Sequence, residues 1–488
     1  MLFNSYIFLA FLPITWAVYF LFNHFNKFRI AQVTLIVASF VFYGYGNYRL
    51  CLLLAFSITV NYLLHLGMMR ERSSDGFRRF FLILGILINL GLLFYFKYFD
   101  FTLQNLNRFF GTDFVMRNIA LPLGISFYTF QQISFIVDSY QRKMEKYGFP
   151  DYSLFVSFFP QLIAGPIVLH QEIIPQFQNP EKRKVNYDNL LSGAEYFIMG
   201  FAKKVLLADS FARICDAGYE NLSALNSLSA VCTILAFTLE IYFDFSGYCD
   251  MALGIGRFFN IYLPINFNSP YKALNISDFW KRWHMTLTRF LTTYIYIPLG
   301  GSRRGMVRTC VNVMIVFTLS GLWHGADWTF VLWGMLHGVA MVIYRVGKKV
   351  FDRLPAWFMW LCTFLFVNAA WVFFRADFFM QPWHLFGRVL NGGTGGIHPA
   401  MLAALCDNTI WKLTLERVVG SSALQYICQA VTALGVGLGV FICVKLPSAH
   451  ELVEKRNRST GWFVFLSILF VWSFTWLSQV SKFIYFNF

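Results

Sequence analysis

Residues 311–338 read VNVMIVFTLSGLWHGADWTFVLWGMLHG, two apolar runs that meet at a short polar turn. His324 lies immediately before that turn, between segments that are apolar enough to pack in lipid. A titratable side chain inside a membrane costs several kcal/mol unless it is paired or reaches water, so such residues commonly serve a function. Imidazole is also the side chain best suited to move a proton near neutral pH. The stretch therefore predicts a pair of membrane helices that carries a catalytic histidine.

The length of the first run predicts where this histidine lies. Basic residues at 303, 304 and 308 place the start of the run in the cytoplasm under the positive-inside rule. The apolar part, residues 309–321, spans only ~20 Å as a helix, against a hydrocarbon core of ~30 Å. We therefore expect the turn to lie within the bilayer, with His324 at the bottom of a funnel open to water or substrate.

Composition independently indicates a membrane protein. Of 488 residues, 57% are hydrophobic and 13% are charged, whereas soluble domains carry about 25% charged residues. The net charge of +15 does not predict nucleic-acid binding, because the basic residues lie between apolar runs rather than in one stripe. The nine cysteines show neither a C-x-x-C motif nor any other metal-ligand spacing, so no metal site is predicted. No long polar linker divides the chain, which predicts a single membrane-embedded domain over residues 1–488.

The apolar runs and the charges between them predict roughly 11 to 13 spans, at ~17–25 residues for each crossing. The first positive charges follow the first run, which predicts a retained first helix with its N-terminus outside. A Gly-rich loop over about residues 375–424 is predicted to be extracytoplasmic and to offer a partner surface. Residues 152–169 are broken by Pro160 and by Gly165-Pro166, which favours a re-entrant segment, with a kinked helix as the alternative. The main apolar runs are 2–22, 30–46, 50–66, 80–96, 119–140, 228–245, 311–322, 328–344, 357–374, 426–444 and 462–480.

A second group of candidate residues lies upstream, in NISDFWKRWHMTLTRFLTTYIYIPLGG, residues 275–301. Ser277 or Asp278 is predicted to cap a helix on which Trp280, Trp283, His284 and Leu287 share one face. An aromatic face with one histidine is commonly core packing, but a second histidine near a buried one suits a base and its orienting group. We therefore predict His324 and His284 as catalytic residues. His337 is a weaker candidate, which packing alone could explain.

Several stretches in the same order resemble the membrane-bound O-acyltransferase (MBOAT) superfamily, and most closely its bacterial alginate O-acetylase branch. The likeness covers about residues 1–375, with the core motifs in 119–375. One departure is FLTTY at residues 290–294, where that branch often carries Trp-x-Arg-Asp-Tyr, and this puts alginate in doubt as the acceptor. The motifs are MLFNSYIFLAFLPI at 1–14, LPLGISFYTFQQISFIVD at 121–138, FFPQLIAGPI at 158–167, YFDFSGYCDMALGIG at 242–256, DFWKRWHMTLTRFLTTYIYIPLGG at 278–301 and SGLWHG at 320–325.

The resemblance implies an all-α, polytopic fold with re-entrant segments around a central tunnel, in a bacterial cell membrane. It aligns His324 with the family's catalytic histidine and His284 with its second histidine position. It implies acetyl-CoA as the donor, no bound cofactor, and O-acetylation of a cell-surface polysaccharide through an extracytoplasmic partner of the SGNH type. The tunnel candidates are Trp280, Trp283, Ser320 and Trp323, of which Trp283, Ser320 and Trp323 are candidate oxyanion donors. Contacts to CoA phosphates, or simple positive-inside anchoring, are expected of Lys281, Arg282, Arg303 and Arg304.

Other functions stay open at this point. Peptidoglycan is the alternative acceptor, and teichoic acid D-alanyl transfer from a carrier-protein thioester is a third option. A transporter or channel would also place a histidine in a funnel, but it would usually show internal repeats, and none is evident. A structural scaffold would not depend on His324. An acyl-histidine intermediate and direct attack by the acceptor hydroxyl are both compatible with the sequence.

Overall fold

The computed structural model describes residues 1–70, 74–406, 420–455 and 458–477. Within these ranges the regular structure is helical and no β-strand occurs, which confirms the all-α prediction. Among the described residues, eight helices are long and apolar enough to cross a membrane, and each contains or overlaps one of the predicted apolar runs. Two further runs form the shorter apolar helices Phe28–Gly44 and Thr460–Thr475. The protein is therefore polytopic.

The chain forms two compact units. The first comprises Met1–Ile198, Tyr248–Asn266 and Thr286–Pro298. The second comprises Met199–Gly247, Phe267–Met285 and Leu299–Phe488, of which the ranges given above are described. Both histidines predicted to be catalytic belong to the second unit.

Among its described residues, the first unit contains helices α1 to α9 and most of α10. Two later segments, 248–266 and 286–298, also belong to it. Its core is aromatic: the rings of Phe3, Phe8, Phe42 and Phe159 lie with neighbouring centroids between 5.0 and 6.3 Å apart. Such contacts suit close helix packing where lipid provides no hydrophobic driving force between helices. The helices are α1 (Tyr6–His24), α2 (Phe28–Gly44), α3 (Arg49–Met68), α4 (Asp75–Leu93), α5 (Phe99–Phe110), α6 (Ile125–Tyr140), α7 (Phe149–Ser157), α8 (Phe159–Leu162), α9 (His170–Gln178) and α10 (Tyr187–Ala202).

The second unit contains most of the remaining helices. Two of them, α12 and α14, have residues in both units. The helices are α11 (Asp209–Glu220), α12 (Ser227–Phe258), α13 (Ile276–Trp280), α14 (Met285–Leu291), α15 (Gly305–His324), α16 (Trp328–Val346), α17 (Lys348–Phe351), α18 (Ala356–Arg375), α19 (Gln381–Asn391), α20 (Pro399–Cys406), α21 (Ser421–Lys445), α22 (Ala449–Glu454) and α23 (Thr460–Thr475).

Residues 152–169 form two short helices rather than one span, as their helix breakers predict. Helix α7 ends before Phe158, which has φ −51° and ψ 110°, and α8 lasts for only four residues. Every residue from Tyr152 to Leu169 is buried. Irregular backbone in a membrane protein requires such protein surroundings, because lipid cannot satisfy its polar groups. That this segment is re-entrant remains a prediction.

Helix α15 is longer than the sequence predicts. It begins at Gly305 and ends at His324, so it has 20 residues instead of 13 apolar ones. At 1.5 Å per residue it is ~30 Å long, about the thickness of the hydrocarbon core. The helix exceeds the apolar run because helix geometry continues through the basic first turn, where arginine is a good helix former. That the turn lies within the bilayer stays a prediction.

The described part of the predicted extracytoplasmic loop contains helices α19 and α20 and the first residues of α21. Helix α19 lies within it, and α20 follows the Gly-rich stretch at 392–396. Residues 407–419 of this loop fall outside the described part of the chain. Its role as a partner surface stays a prediction.

Candidate active site

The α15–α16 hairpin positions His324. A Cβ atom on Gly321 would lie 2.2 Å from the carbonyl oxygen of Phe330, and one on Gly334 would lie 2.3 Å from that of Phe317. The two backbones therefore approach as closely as glycine allows, which is a common way to pack membrane helices. Asp327 then caps α16 by accepting a hydrogen bond from the Thr329 amide at 2.8 Å. This contact fixes the start of α16, and the amide of Gly325, bonded to the Gly321 carbonyl oxygen, ends α15 at His324.

His324 is the last residue of α15, and its side chain is packed among aromatic rings. It is 3% exposed. Its ring centroid lies 4.9 Å from that of Trp323, 5.2 Å from that of Trp333 and 5.3 Å from that of Phe374, all in edge-on arrangements. Edge-to-face packing restricts the plane of an aromatic ring. The imidazole is thus oriented by rings from three different helices or turns.

His284 lies beside His324. The ring centroids of the two histidines are 6.2 Å apart, so the structure brings together the two residues predicted to be catalytic. His284 is fully buried, and its ring lies 4.8 Å from Phe245. Because burial disfavours the charged form, the pKa of His284 falls to about 3, and its imidazole is neutral.

The backbone at His284 differs from the prediction. Helix α13 ends at Trp280, and a turn over residues 281–284 separates it from α14. The prediction of one helix with four residues on a single face is therefore wrong. His284 has φ +45°, a left-handed conformation that is uncommon for residues other than glycine and that clusters at functional sites.

The N-cap of α13 also differs from the prediction. The capping residue is Asn275, whose side chain accepts a hydrogen bond from the Asp278 amide at 2.8 Å. Ser277 and Asp278, the two predicted caps, lie inside the helix. The cap is therefore two or three residues earlier, and Asn is as good a cap as Ser or Asp.

The three tryptophans among the four tunnel candidates have different neighbours. Trp323 contacts both catalytic candidates, since its centroid is 6.0 Å from that of His284. Trp280 instead belongs with His337, to whose Nδ1 it donates a hydrogen bond at 3.3 Å. Trp283 packs 4.9 Å from Trp371. The structure thus places Trp280 and Trp283 in the wall behind the site rather than against His324.

Three side chains of the hairpin itself carry a buried polar atom that has no hydrogen-bond partner in the described ranges. They include Ser320 Oγ, one turn before His324, and Trp333 Nε1. His337 Nε2 is a third such atom. Buried polar groups are nearly always hydrogen-bonded in folded proteins, so a cluster of exceptions is expected where a polar substrate or water binds.

Trp333, Trp371 and Phe374 contribute to the site but were not among the predicted residues. Trp333 and Trp371 stack with centroids 5.6 Å apart. Both are fully buried, which is unusual for so large a side chain. In sequence they are ordinary aromatic residues of apolar helices, and nothing in their spacing distinguishes them from lipid-facing tryptophans.

The four basic candidates lie in turns near this cluster in sequence. Lys281, Arg303 and Arg304 are exposed. Arg282 is half-buried and donates to Asp278 Oδ1 at 2.9 Å, so part of its function is to hold its own turn. Exposed basic side chains can either contact phosphate groups or hold the helix ends at the cytoplasmic membrane surface, so both roles stay open for these three residues.

The chemistry available at this site is proton transfer and hydrogen bonding. In the described ranges no group of three or more His, Cys, Asp or Glu residues is arranged to hold a metal ion. A neutral imidazole can accept a proton from a hydroxyl, and indole N–H or hydroxyl groups can stabilise an oxyanion. These are the two requirements of acyl transfer to an alcohol.

Comparison with known proteins agrees with this chemistry. Residues 92–381 match the family model of the membrane-bound O-acyltransferases. The peptidoglycan O-acetyltransferase of Helicobacter pylori is 40% identical over 100% of this chain and 98% of its own length. The probable alginate O-acetylase AlgI of Pseudomonas aeruginosa is 36% identical over 86% of this chain and 80% of its own. The teichoic acid D-alanyltransferase of Bacillus subtilis is 26% identical, over 48% of this chain and 61% of its own length.

The match to the family model covers more than half of the chain, and the likeness to the first relative extends over all of it. This likeness decides between an enzyme and a transporter in favour of the enzyme. The eight candidate spans found among the described residues show that it is a multi-pass membrane protein. The chain belongs to the membrane-bound O-acyltransferase family and is a multi-pass membrane acyltransferase.

Proposed function

We propose that the protein transfers an acetyl group from acetyl-CoA for O-acetylation of a cell-envelope polysaccharide, with His324 as the general base. The observation that carries this proposal is the pair of buried imidazoles, 6.2 Å apart, at the end of the closely packed α15–α16 hairpin. Two rings at this separation can reach different atoms of one small substrate.

In the proposed reaction, neutral His324 removes the proton from the acceptor hydroxyl as its oxygen attacks the thioester carbonyl. Indole or hydroxyl donors, with Trp323, Trp333 and Ser320 as the nearest in sequence or space, stabilise the oxyanion. The carbon–sulfur bond then breaks, and the imidazolium returns its proton to the leaving CoA thiolate. The ester forms, the thiol leaves, and no metal is required. Direct attack of this kind needs no acyl-histidine intermediate.

For His284 we propose a positioning role. Its ring is neutral, fully buried and packed against Phe245. A neutral ring beside His324 can share in orienting the substrate without placing a second positive charge next to the imidazolium that forms. Lys281, Arg303 and Arg304 would contact the CoA phosphates from the cytoplasmic side.

For the acceptor, we propose peptidoglycan ahead of an alginate-like polymer. The peptidoglycan relative is 40% identical over the whole chain, whereas the alginate relative of Pseudomonas putida that also aligns over the whole chain is 34% identical. The FLTTY sequence at residues 290–294 points the same way, because it departs from the form frequent in the alginate branch. Alginate is the second candidate on the strength of its several relatives at 34–37% identity.

Transfer to an envelope polymer requires the acetyl group to cross the bacterial cell membrane. We propose an N-terminus outside and an extracytoplasmic partner of the SGNH type, which would receive the acetyl group near the loop at about residues 375–424. D-Alanyl transfer to teichoic acid is less well supported, since those relatives are 25–26% identical over less than half of this chain.

The test is turnover of acetyl-labelled CoA by the purified full-length protein in the presence of the partner and an acceptor polymer, with wild type compared with His324→Gln. Labelled acetate should leave CoA in the wild type and remain on it in the variant, provided that both proteins unfold at similar temperatures. Equal turnover in the two proteins would disprove the role of His324. With purified peptidoglycan and alginate offered in parallel, together with the partner, base-labile acetate on only one polymer would identify the acceptor.

A further inference from the structure

A ring nitrogen buried on α16 has no hydrogen-bond partner in the described part of the chain. It is Nε2 of His337, a fully buried residue in the middle of the helix. The other ring nitrogen, Nδ1, accepts a hydrogen bond from Trp280 Nε1 at 3.3 Å. Four residues earlier on α16, the buried Nε1 of Trp333 also has no partner among the described residues. The ring centroids of Trp333 and His337 are 4.9 Å apart, so the two atoms belong to one place.

The contact with Trp280 determines which nitrogen of His337 carries the proton. An indole N–H can only donate, so Nδ1 of His337 is the acceptor and carries no proton. The proton of the imidazole is therefore on Nε2, which makes Nε2 a donor. Trp333 Nε1 is a donor because it too is an indole N–H. A ligand that satisfies both atoms must therefore present acceptor oxygens.

The surroundings of His337 are aromatic. Its ring centroid lies 5.1 Å from that of Trp280, 5.3 Å from that of Phe366 and 6.3 Å from that of Trp371. Folded proteins rarely leave a donor unpaired among such rings. A buried water commonly has about three polar partners. The indole N–H of Trp371 is not available as one, because it donates to the Tyr271 hydroxyl at 3.2 Å. An oxygen of a bound substrate suits this donor better than an isolated water.

His337 lies one helical turn away from the ring that contacts His324. The centroid of Trp333 is 5.2 Å from that of His324 and 4.9 Å from that of His337. Between Trp333 and His337 the helix rises by ~6 Å. In an acyl-CoA, five bonds separate the thioester carbonyl from the nearest amide carbonyl of the pantetheine arm, which is ~6 Å when the arm is extended. The helix rise between the two donor residues thus matches the spacing of these two carbonyl groups.

We propose that His337 is a positioning residue for the acyl donor. Its Nε2–H donates a hydrogen bond to the amide carbonyl oxygen nearest the thioester sulfur of acetyl-CoA, so this inference rests on the donor named under the proposed function. With that amide held at His337, the thioester carbonyl lies beside Trp333 and His324, where the proposed attack takes place. Trp280 acts through His337, because its N–H keeps the proton on Nε2. No bond forms or breaks at His337 itself.

The experiment measures equilibrium binding to the full-length protein in detergent, so it does not depend on turnover. The first probe is S-ethyl-CoA, a thioether that lacks the thioester carbonyl. The second is the same thioether with the amide nearest the sulfur replaced by two methylene groups. We expect the wild type to bind the first probe on the order of tenfold more tightly, the effect of one buried hydrogen bond.

Two variants of His337 test whether this preference comes from its N–H group. His337→Phe has a ring without nitrogens and should bind both probes equally. His337→Gln keeps one donor and one acceptor and should retain part of the preference. Trp280→Phe leaves His337 in place but removes the bond that holds its proton on Nε2, so the preference should decrease. The matched control is Trp360→Phe, which removes a different indole hydrogen bond, 2.9 Å long to the carbonyl oxygen of Tyr271, and should leave the preference intact.

The possible results separate this inference from the proposed function. Equal binding of the two probes by the wild type would overturn the role of His337 and leave acetyl-CoA as the donor. A preference that persists in His337→Phe would also overturn that role, by placing the amide contact elsewhere. If the wild type binds neither probe, acetyl-CoA is not the donor, and both proposals fall.

Discussion

His170 in the first unit and His324 in the second are both buried, but different groups hold their rings. His170 Nε2 lies 3.3 Å from Asp138 Oδ2, and its Nδ1 lies 3.3 Å from the hydroxyl of Tyr147. Tyr294 donates a hydrogen bond to the same Asp138 oxygen at 2.8 Å. His324 is instead surrounded by the rings of Trp323, Trp333 and Phe374.

The difference shows two ways of fixing a buried imidazole. At His170 both ring nitrogens lie within hydrogen-bond distance of polar partners, so hydrogen bonds set the orientation of the ring. At His324 the plane of the ring is set by edge-on packing against three aromatic side chains. We infer that the first arrangement stabilises the unit and that the second serves chemistry.

The largest expected effect tests this contrast directly. His324→Gln should lower the rate of acetyl transfer by roughly 10²–10⁴-fold, the usual contribution of a general base, with little change in unfolding temperature. His170→Gln should have the opposite effect. It leaves buried partners without a hydrogen bond and should lower the free energy of unfolding by about 1–3 kcal/mol. Its rate per folded molecule should stay within tenfold of the wild type. Rates and thermal unfolding of both variants provide the check. A large loss of rate in folded His170→Gln would contradict the contrast.

The next effect concerns the hairpin that carries His324. Gly334→Ala would place a methyl group 2.3 Å from the Phe317 carbonyl oxygen, so α15 and α16 must separate. A displacement of about 1 Å at a catalytic group can cost about 10²-fold in rate, and we expect a loss of that order. The matched control is Gly435→Ala in α21, where an added Cβ meets no atom within 4 Å. Unchanged activity in Gly334→Ala would show that the close approach does not position His324.

A third prediction uses pH. Burial lowers the pKa of His284 from 6.5 to about 3. Between these two pH values the ring is neutral in the folded protein but protonated in the unfolded chain. Stability linked to His284 is therefore fully present above pH 6.5 and is lost as the pH falls toward 3. In His284→Gln the unfolding temperature should fall less steeply between pH 7 and 4 than in the wild type. His24→Gln, which changes an exposed histidine, serves as the control. If the unfolding temperature changes with pH equally in all three proteins, His284 is not the buried neutral group that this prediction requires.

The smallest effects separate the basic residues. Arg282→Gln breaks the 2.9 Å pair with Asp278 and should cost up to about 1 kcal/mol of stability, since the pair is partly exposed, without changing KM for acetyl-CoA. Arg304→Gln removes an exposed charge and should raise that KM a few-fold, more at low salt than at high salt. A KM that responds to Arg282 but not to Arg304 would reverse the two roles.

Much of the fold follows from patterns that are local in sequence. Runs of apolar residues determine which segments become membrane helices, because each must satisfy its own backbone hydrogen bonds in lipid. Helix breakers at Pro160 and Gly165-Pro166 likewise predict the division of residues 152–169, which the structure confirms. Helix ends are less accurate: α15 continues through basic residues that the apolar pattern excludes.

The sequence by itself determined the class of protein, its family motifs and the choice of His324 and His284 as candidates, since each depends on residue types in order along the chain. Only the tertiary structure decided how the pair is enclosed. Trp333 and Phe374 come from α16 and α18, and their contact with His324 depends on helix packing rather than on spacing. The turn at His284 has the same origin. Its local sequence favours a continuous helix, and a left-handed residue is tolerated there only within the surrounding packed structure.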